Sequence, residues 1–250
     1  MNCLVIEDRG DREVYRVFNE AVYRVFGGQA KILCTGKEIA VAFLGGGRGK
    51  ARIVVVTQEW IDIEILSREP SLALQPIDLL VGLSRPQTSR KVLQAAVMAG
   101  VRSLHFIKTI RGEKSYVDAT LFLEDSMRKE TIKALEQVGQ GLHPEIRVHR
   151  NFDYFVKHHL SSFSSCESKF IAVPNNAVIQ ERGRRGHSHR FVLAIGPEAG
   201  WSSEEVSVFE SAGFSKIGLG ERIVRVEVAV SMLLGQVMML NDYQRPDGNS

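Results

Sequence analysis

Apolar positions change rhythm about a third of the way along the chain. Residues 39–44, 51–57 and 60–65 are short apolar or alternating runs, and WIDIEI at 60–65 keeps period two, the pattern of a half-buried strand. Residues 31–34 form a fourth short candidate. Before them, DREVYRVFNEAVYRVF at 11–26 sets Val14, Val17, Phe18, Ala21, Val22 and Val25 at helical spacing. This pattern predicts a small β-barrel with one helical insertion. Residues 67–76, SREPSLALQP, carry two prolines and read as a linker.

Beyond the linker, strands alternate with helices. Strands are predicted at 77–83, 104–107, 146–149, 170–173, 191–195 and 216–218. Helices are predicted at 88–99 (closed by Gly100), 120–139, 152–163 and 226–240. Such alternation implies a parallel sheet covered on both faces. The domains are then 1–72, a small β domain, and 73–250, an α/β domain.

Two loops stand out within this grammar. Phe191–Ile195 runs directly into GPEAG at 196–200, and Ser202 with Glu205 forms a capping box that starts a helix near Ser203. A plain connection needs only a polar turn and a cap. Two glycines, a proline and a carboxylate at the C-terminal end of a parallel strand suit a ligand pocket. The second loop, LGERI at 219–223, follows another short strand, so one ligand can be walled from two sides. Neither loop carries a dinucleotide fingerprint. GGGRGK at 45–50 is no phosphate loop either, because Leu44 stands where the first glycine is required and Ala51 where Ser or Thr is required. It reads as a hairpin turn.

Composition narrows the classes further. The 250 residues are 44% hydrophobic and 24% charged, with a net charge of +3, which permits an anionic partner without demanding one. Cys3, Cys34 and Cys166 are odd in number and have no metal or redox spacing, so free thiols in a cytoplasmic protein are expected. No stretch of about 18 apolar residues predicts a membrane span, and no signal segment is read at the N-terminus. Local positive charge is more telling. RGRRGHSHR at 182–190 places Arg182, Arg184, Arg185 and Arg190 just before the 191–195 strand. Lys108, Arg111 and Lys114 follow another strand, with Tyr116 available for stacking. Both stretches suit an RNA phosphate backbone, or else are solvated loops. His187 and His189 lack an accompanying carboxylate or cysteine, and no metal site is expected.

Gly196-Pro197-Glu198 and Gly200, Gly213-Phe214, and Leu219-Gly220-x-Arg222-Ile223-x-Arg225-x-Glu227-x-Ala229 together resemble the RsmE family of 16S rRNA methyltransferases, within the SPOUT superfamily. Glu136-Gln137 followed by Pro144-Glu145-Ile146, and Arg85-Pro86, are similar to further family segments. The chain departs from the family pattern at Ala199 and Trp201, and Val226 and Val228 replace two usual threonines. The resemblance implies a C-terminal α/β domain with a deep trefoil knot, a PUA-like RNA-binding barrel before it, and a homodimer. It implies S-adenosylmethionine held largely by the backbone of three loops: Val173 and Pro174; Ile195, Gly196, Pro197, Glu198 and Gly200; and Leu219, Gly220, Arg222, Ile223 and Arg225. The reaction implied is methylation of N3 of a uridine in 16S rRNA of the small ribosomal subunit. Arg225 is then the candidate for stabilising charge on the uracil, with a knot clamp or a phosphate contact as its alternatives. Glu227 is either the base or a structural partner. Arg85 is a candidate substrate contact. A second reading keeps the fold and RNA binding, on another RNA or without catalysis.

Overall fold

The computed structural model describes residues 3–10, 13–27, 33–166, 168–174 and 190–243. Contacts divide the chain into two compact units, Met1–Leu74 with Lys129–His143, and Gln75–Arg128 with Pro144–Ser250.

The first unit is built on a five-stranded mixed sheet in the order β1-β3-β4-β5-β2. Its strands are β1 (Cys3–Glu7), β2 (Val14–Phe18), β3 (Glu38–Leu44), β4 (Gly47–Val56) and β5 (Trp60–Pro70). The helix predicted over 11–26 is divided: β2 takes the first part and α1 (Asn19–Phe26) the second. The tetrapeptide Tyr-Arg-Val-Phe occurs in both, as a strand at 15–18 and as a helix at 23–26. Pairing decides between the two. Tyr15 and Val17 are buried in alternation, and β2 is antiparallel to β5, with Val17 opposite Ile61. In α1 only Val22 is fully buried, so that helix needs one apolar stripe and no ladder. GGGRGK does form a hairpin, but only Gly45 and Gly46 make the turn, and β4 already begins at Gly47. Of the strand predicted at 31–34, residues 31 and 32 lie outside the described residues, and 33–34 are not strand but lead into a turn at 35–36; β1 is a strand that the apolar pattern does not announce.

Lys129–His143 packs into this unit although the contiguous reading places it in the second domain. The Arg24 guanidinium grips Glu136, which is 4% exposed, with Nε at 2.9 Å and Nη2 at 2.6 Å from its carboxylate oxygens. Gly45 N–H donates to the Gly141 carbonyl at 2.9 Å, and Gly141 N–H to Ser71 Oγ at 3.0 Å. The proline-bearing stretch 67–76 is largely strand: β5 runs to Pro70, and only 71–74 lies between it and the next strand.

The second unit holds six strands, all parallel, in the order β11-β9-β10-β6-β7-β8. These are β6 (Gln75–Gly82), β7 (Val101–Ile107), β8 (Glu145–His149), β9 (Ser168–Ala172), β10 (Phe191–Ile195) and β11 (Ser215–Ile217). Period-two alternation sends Ile77, Leu79, Val81, Leu193 and Ile195 to one face, against α2 (Pro86–Ala99) and α6 (Val226–Tyr243). Leu80, Ile107, Val192 and Ala194 face α4 (Phe152–His158) and α5 (Ser203–Ser211) on the other. The helix predicted at 120–139 is α3 (Glu124–Val138) after a short 3-10 turn, and that at 152–163 ends in a 3-10 turn.

Two buried polar features cross this sheet. Asp78, fully buried, accepts from Ser103 Oγ and from the guanidinium groups of Arg102 and Arg190, the last at 2.6 Å. Beside it, His105 Nε2 lies 3.1 Å from Ser103 Oγ, and His105 Nδ1 lies 2.9 Å from His149 Nε2. Among the described residues no helix is long and apolar enough to cross a membrane.

Candidate cofactor and RNA site

Because every strand of the second sheet is parallel, the loops after β6, β7, β8, β9, β10 and β11 share one edge. At this edge lies a cavity of about 750 Å³. All twelve residues expected to hold the cofactor line it: Val173 and Pro174 after β9, Ile195 to Glu198 and Gly200 after β10, and Leu219, Gly220, Arg222, Ile223 and Arg225 after β11. Arg85 and Glu227 line it too. Sequence reasoning missed Gln87, Thr88 and Lys91, which α2 presents to the same space, and Ala229 and Leu233 of α6. The spacing of Thr88 and Lys91 on one helix face was the available signal.

The loop geometry follows from its residues. Gly200 and Gly220 sit at φ +68° and +81°, left-handed backbone that side chains rarely adopt. Gly82, ending β6, touches the loop: a Cβ there would lie 2.3 Å from Pro197 Cδ and 2.6 Å from its nitrogen. The Glu198 carboxylate accepts from Arg85 N–H at 3.1 Å, joining the loop after β10 to the loop after β6. The capping box is formed as expected. Ser202 Oγ accepts from Glu205 N–H at 3.1 Å, and Glu205 Oε2 from Ser202 N–H at 2.7 Å. The second oxygen of Glu205 accepts from Ile110 N–H at 2.7 Å, so one fully buried carboxylate also ties in the loop after β7.

Around the rim, Arg225 is exposed. Glu227 accepts from Lys91 Nζ at 3.1 Å. A hydrogen bond from its own backbone N–H, helped by Lys91 and Arg225, holds its carboxyl below the usual range. Val226 is 6% exposed and packs in the core between α6 and the sheet, whereas Val228 is exposed. The buried one of the two departures from the family pattern is therefore a packing residue.

The expected RNA contacts separate in space. Lys108 and Arg111 lie on the loop after β7 and Lys114 opens the 3-10 helix that follows (Lys114–Asp118), and all three are outside the cavity lining. Arg190 precedes β10 at the opposite edge, and its guanidinium is bonded to Asp78. Arg182, Arg184, Arg185, His187 and His189 lie outside the described residues. Among the described residues no group of three or more His, Cys, Asp or Glu side chains could hold a metal ion, and the three cysteines are free.

Comparison with known proteins gives a consistent answer. The family model for an RNA methyltransferase domain matches residues 71–238. Ribosomal RNA small subunit methyltransferase E of Treponema pallidum is 30% identical over 200 residues, covering 79% of this chain and 75% of that protein. The crystal structure of ribosomal RNA small subunit methyltransferase E from Neisseria gonorrhoeae, bound to S-adenosyl methionine, superposes with a TM-score of 0.74 at 21% identity. That match covers 96% of this chain and 98% of that one. A Legionella pneumophila structure holding the same cofactor gives a TM-score of 0.75 at 22% identity, over 96% and 98% of the two chains. A domain match over well over half of the chain and a relative of this identity and coverage place the chain in the ribosomal RNA small subunit methyltransferase E family.

Proposed function

We propose that this chain transfers the methyl group of S-adenosylmethionine to N3 of a uridine in 16S rRNA of the small ribosomal subunit. The observation that carries this reading is the convergence of three strand-end loops on one cavity, lined by every residue of the expected cofactor set.

The residues fit such a cofactor. The volume is within the range of small-molecule sites. Ile195, Leu219 and Leu233 supply apolar wall for an adenine ring, and the glycine backbone can approach closely without side chains intervening. S-adenosylmethionine would supply an activated, electrophilic methyl group, so the protein's task is alignment and charge management. Ile195 to Gly200 and Leu219 to Arg225 would position that group, with Val173 and Pro174 closing the third side. Arg225, exposed on the rim, stabilises the negative charge that develops on the uracil carbonyls as N3 gives up its proton to solvent water. Glu227 is suited to anchoring rather than to accepting a proton, because its carboxylate already holds Lys91 and is a weaker base than usual. The uridine must leave its stack to expose N3. Arg85 and the Lys108, Arg111 and Lys114 loop are placed to hold RNA beside the cavity.

The same reading extends to a homodimer, a trefoil knot and a cytoplasmic location. Val228, Met232 and Met239 are exposed at 41%, 47% and 61% along one stripe of α6, an apolar surface that a second copy would cover. Light scattering tests the dimer, and a monomeric mass at micromolar concentration would remove it. For the knot, β11 lies beside β9, and α6 returns to pack on α2. The first unit's curled sheet, whose two edge strands β1 and β2 line one cleft, supports a barrel of PUA-like kind.

The test is incubation of small subunits from a strain lacking this protein with the purified chain and radiolabelled S-adenosylmethionine. Label recovered in N3-methyluridine is the expected result. Cofactor binding without label would move the substrate to another RNA, and neither label nor binding would overturn the catalytic reading.

A further inference from the structure

A second cavity, of about 890 Å³, opens at the end of β8, and the methyl-transfer reading makes no use of it. Its wall is a run of aromatic rings. The Tyr154 ring lies 4.3 Å from that of His158, inclined at 36°, and 5.9 Å from that of His159. His159 in turn lies 4.7 Å from His149, which closes the floor. Tyr154, at 58%, and His158 are both exposed, so flat π-surface faces solvent here.

The cations suit that surface. Lys157 lines the cleft, and among the described residues no ion pair involves it. Arg150 and Arg147 line it as well, each in an exposed pair, with Asp118 and Glu145 respectively. Such exposed pairs hold weakly and exchange readily for a phosphate. Asp153 is the one carboxylate in the lining. Exposed aliphatic anchors, which a protein partner would need, are absent from it; Val148 is only half-buried.

Position supplies the second argument. β8 is parallel to β6 and β7, so the cleft opens on the sheet edge that also holds the cofactor cavity. The loop after β7, with Lys108 and Arg111, lies between them, and Lys108 N–H donates to the His149 carbonyl at 2.9 Å. Basic groups therefore follow one another along this edge, from Arg85 through Lys108 and Arg111 to Arg150 and Lys157.

We propose that the β8 cleft binds an unpaired nucleotide of the RNA substrate, with its base stacked on Tyr154 and its phosphate held by Lys157 and Arg150. Flat rings beside flexible cations are how proteins hold single-stranded nucleic acid without reading its sequence. This inference rests on the reading that the chain acts on RNA. It adds a binding subsite two strands removed from the reacting uridine.

The experiment uses the full chain and a fluorescently labelled single-stranded oligouridine of about ten nucleotides, a length matched to typical single-strand sites. Binding is followed by anisotropy at several salt concentrations. Tyr154→Ala should weaken binding by about fivefold or more, the lower end for loss of one base-stacking partner, and Tyr154→Phe should restore it. Lys157→Ala should flatten the salt dependence by roughly one phosphate contact. In methylation of small subunits, Tyr154→Ala should raise KM and leave kcat unchanged. Equal oligouridine affinity for wild type and Tyr154→Ala would overturn the proposal. If the wild type fails to methylate but Tyr154→Ala still weakens oligouridine binding, the cleft stands and the reaction reading falls.

Discussion

Acid should destabilise this protein through one buried pair of rings. His105 and His149 are 5% and 6% exposed and share a 2.9 Å hydrogen bond. Ser103 donates to Asp78, so it accepts from His105 Nε2–H, and His105 Nδ1 in turn accepts from His149 Nε2–H. That arrangement needs His105 neutral, because its Nδ1 must accept, and burial disfavours charge on either ring. Burial, above all, pushes His105 down to about 4, with Arg147, His159 and Arg102 adding to the effect and Asp78 opposing it. His149 falls to about 3, first by burial and then through His105, His159 and Arg147. In the unfolded chain each imidazole titrates near 6.5. Above that value neither state binds the proton and nothing is lost. As the pH falls below 6.5 the unfolded chain takes up protons that the folded one refuses, and stability declines until the native rings titrate. His105 alone spans about 2.5 pH units, or roughly 3–4 kcal/mol at about 1.4 kcal/mol per unit. By pH 5 about 2 kcal/mol should be gone through each ring, about 4 kcal/mol for the pair, which for a chain of this size lowers Tm by roughly 8–16 °C. Thermal unfolding followed by circular dichroism at pH 7.5 and pH 5 measures this. The control is His105→Leu with His149→Phe, which removes both titrations and leaves Ser103 bonded to Asp78. Carboxylate effects are common to both proteins and cancel in the difference. If the double variant loses as much Tm on acidification as the wild type, the buried pair is not the cause.

Three further perturbations address the cofactor edge. Gly82→Ala should displace Pro197, cost about 1–3 kcal/mol in stability through overpacking, and weaken S-adenosylmethionine binding in calorimetry; unchanged affinity would show that the loop after β10 can yield freely. Glu205→Ala strips the acceptor from the buried Ser202 N–H, and the Ile110 amide can still reach water. A loss of about 1–3 kcal/mol in denaturant unfolding is expected, and a loss below 0.5 kcal/mol, roughly the scatter of neutral surface changes, would mean water replaces the carboxylate. Arg225→Ala should cut turnover by about 10²-fold or more and leave cofactor affinity nearly unchanged, and wild-type turnover would end its proposed role.

The second unit was readable in advance because its elements obey one strong rule. Strands such as 191–195, buried on both faces, are continuous apolar runs, and helices such as 88–99 end at a glycine. The glycine-rich loops stood out for the same reason: strand ends rarely spend so many special residues on a plain turn. The first unit was harder to read. Tyr-Arg-Val-Phe fits a helix and a strand equally well, and only the ladder to β5 selects the strand at 15–18. β1 is five residues with a parallel partner thirty-odd positions away, a pairing that no local pattern announces. At the site, the basic stretches looked alike in sequence but differ in structure. Arg190 serves a buried aspartate, whereas Lys108 and Arg111 stay at the edge. What a charge faces depends on tertiary contacts, and composition is silent on those.

The placement of Lys129–His143 bears on how this protein could be taken apart. A fragment ending at Leu74 would keep all five strands of the first sheet yet lose Glu136, the carboxylate that anchors Arg24, and Gly141, whose backbone caps the β3–β4 hairpin. Such a piece would carry an unmet cation and a frayed turn, so it should express poorly as an isolated module. Shuffling the N-terminal unit between proteins would require two cuts in the gene, with the later stretch carried along. The two units are therefore interleaved in heredity as well as in sequence, and neither can be exchanged as a single cassette.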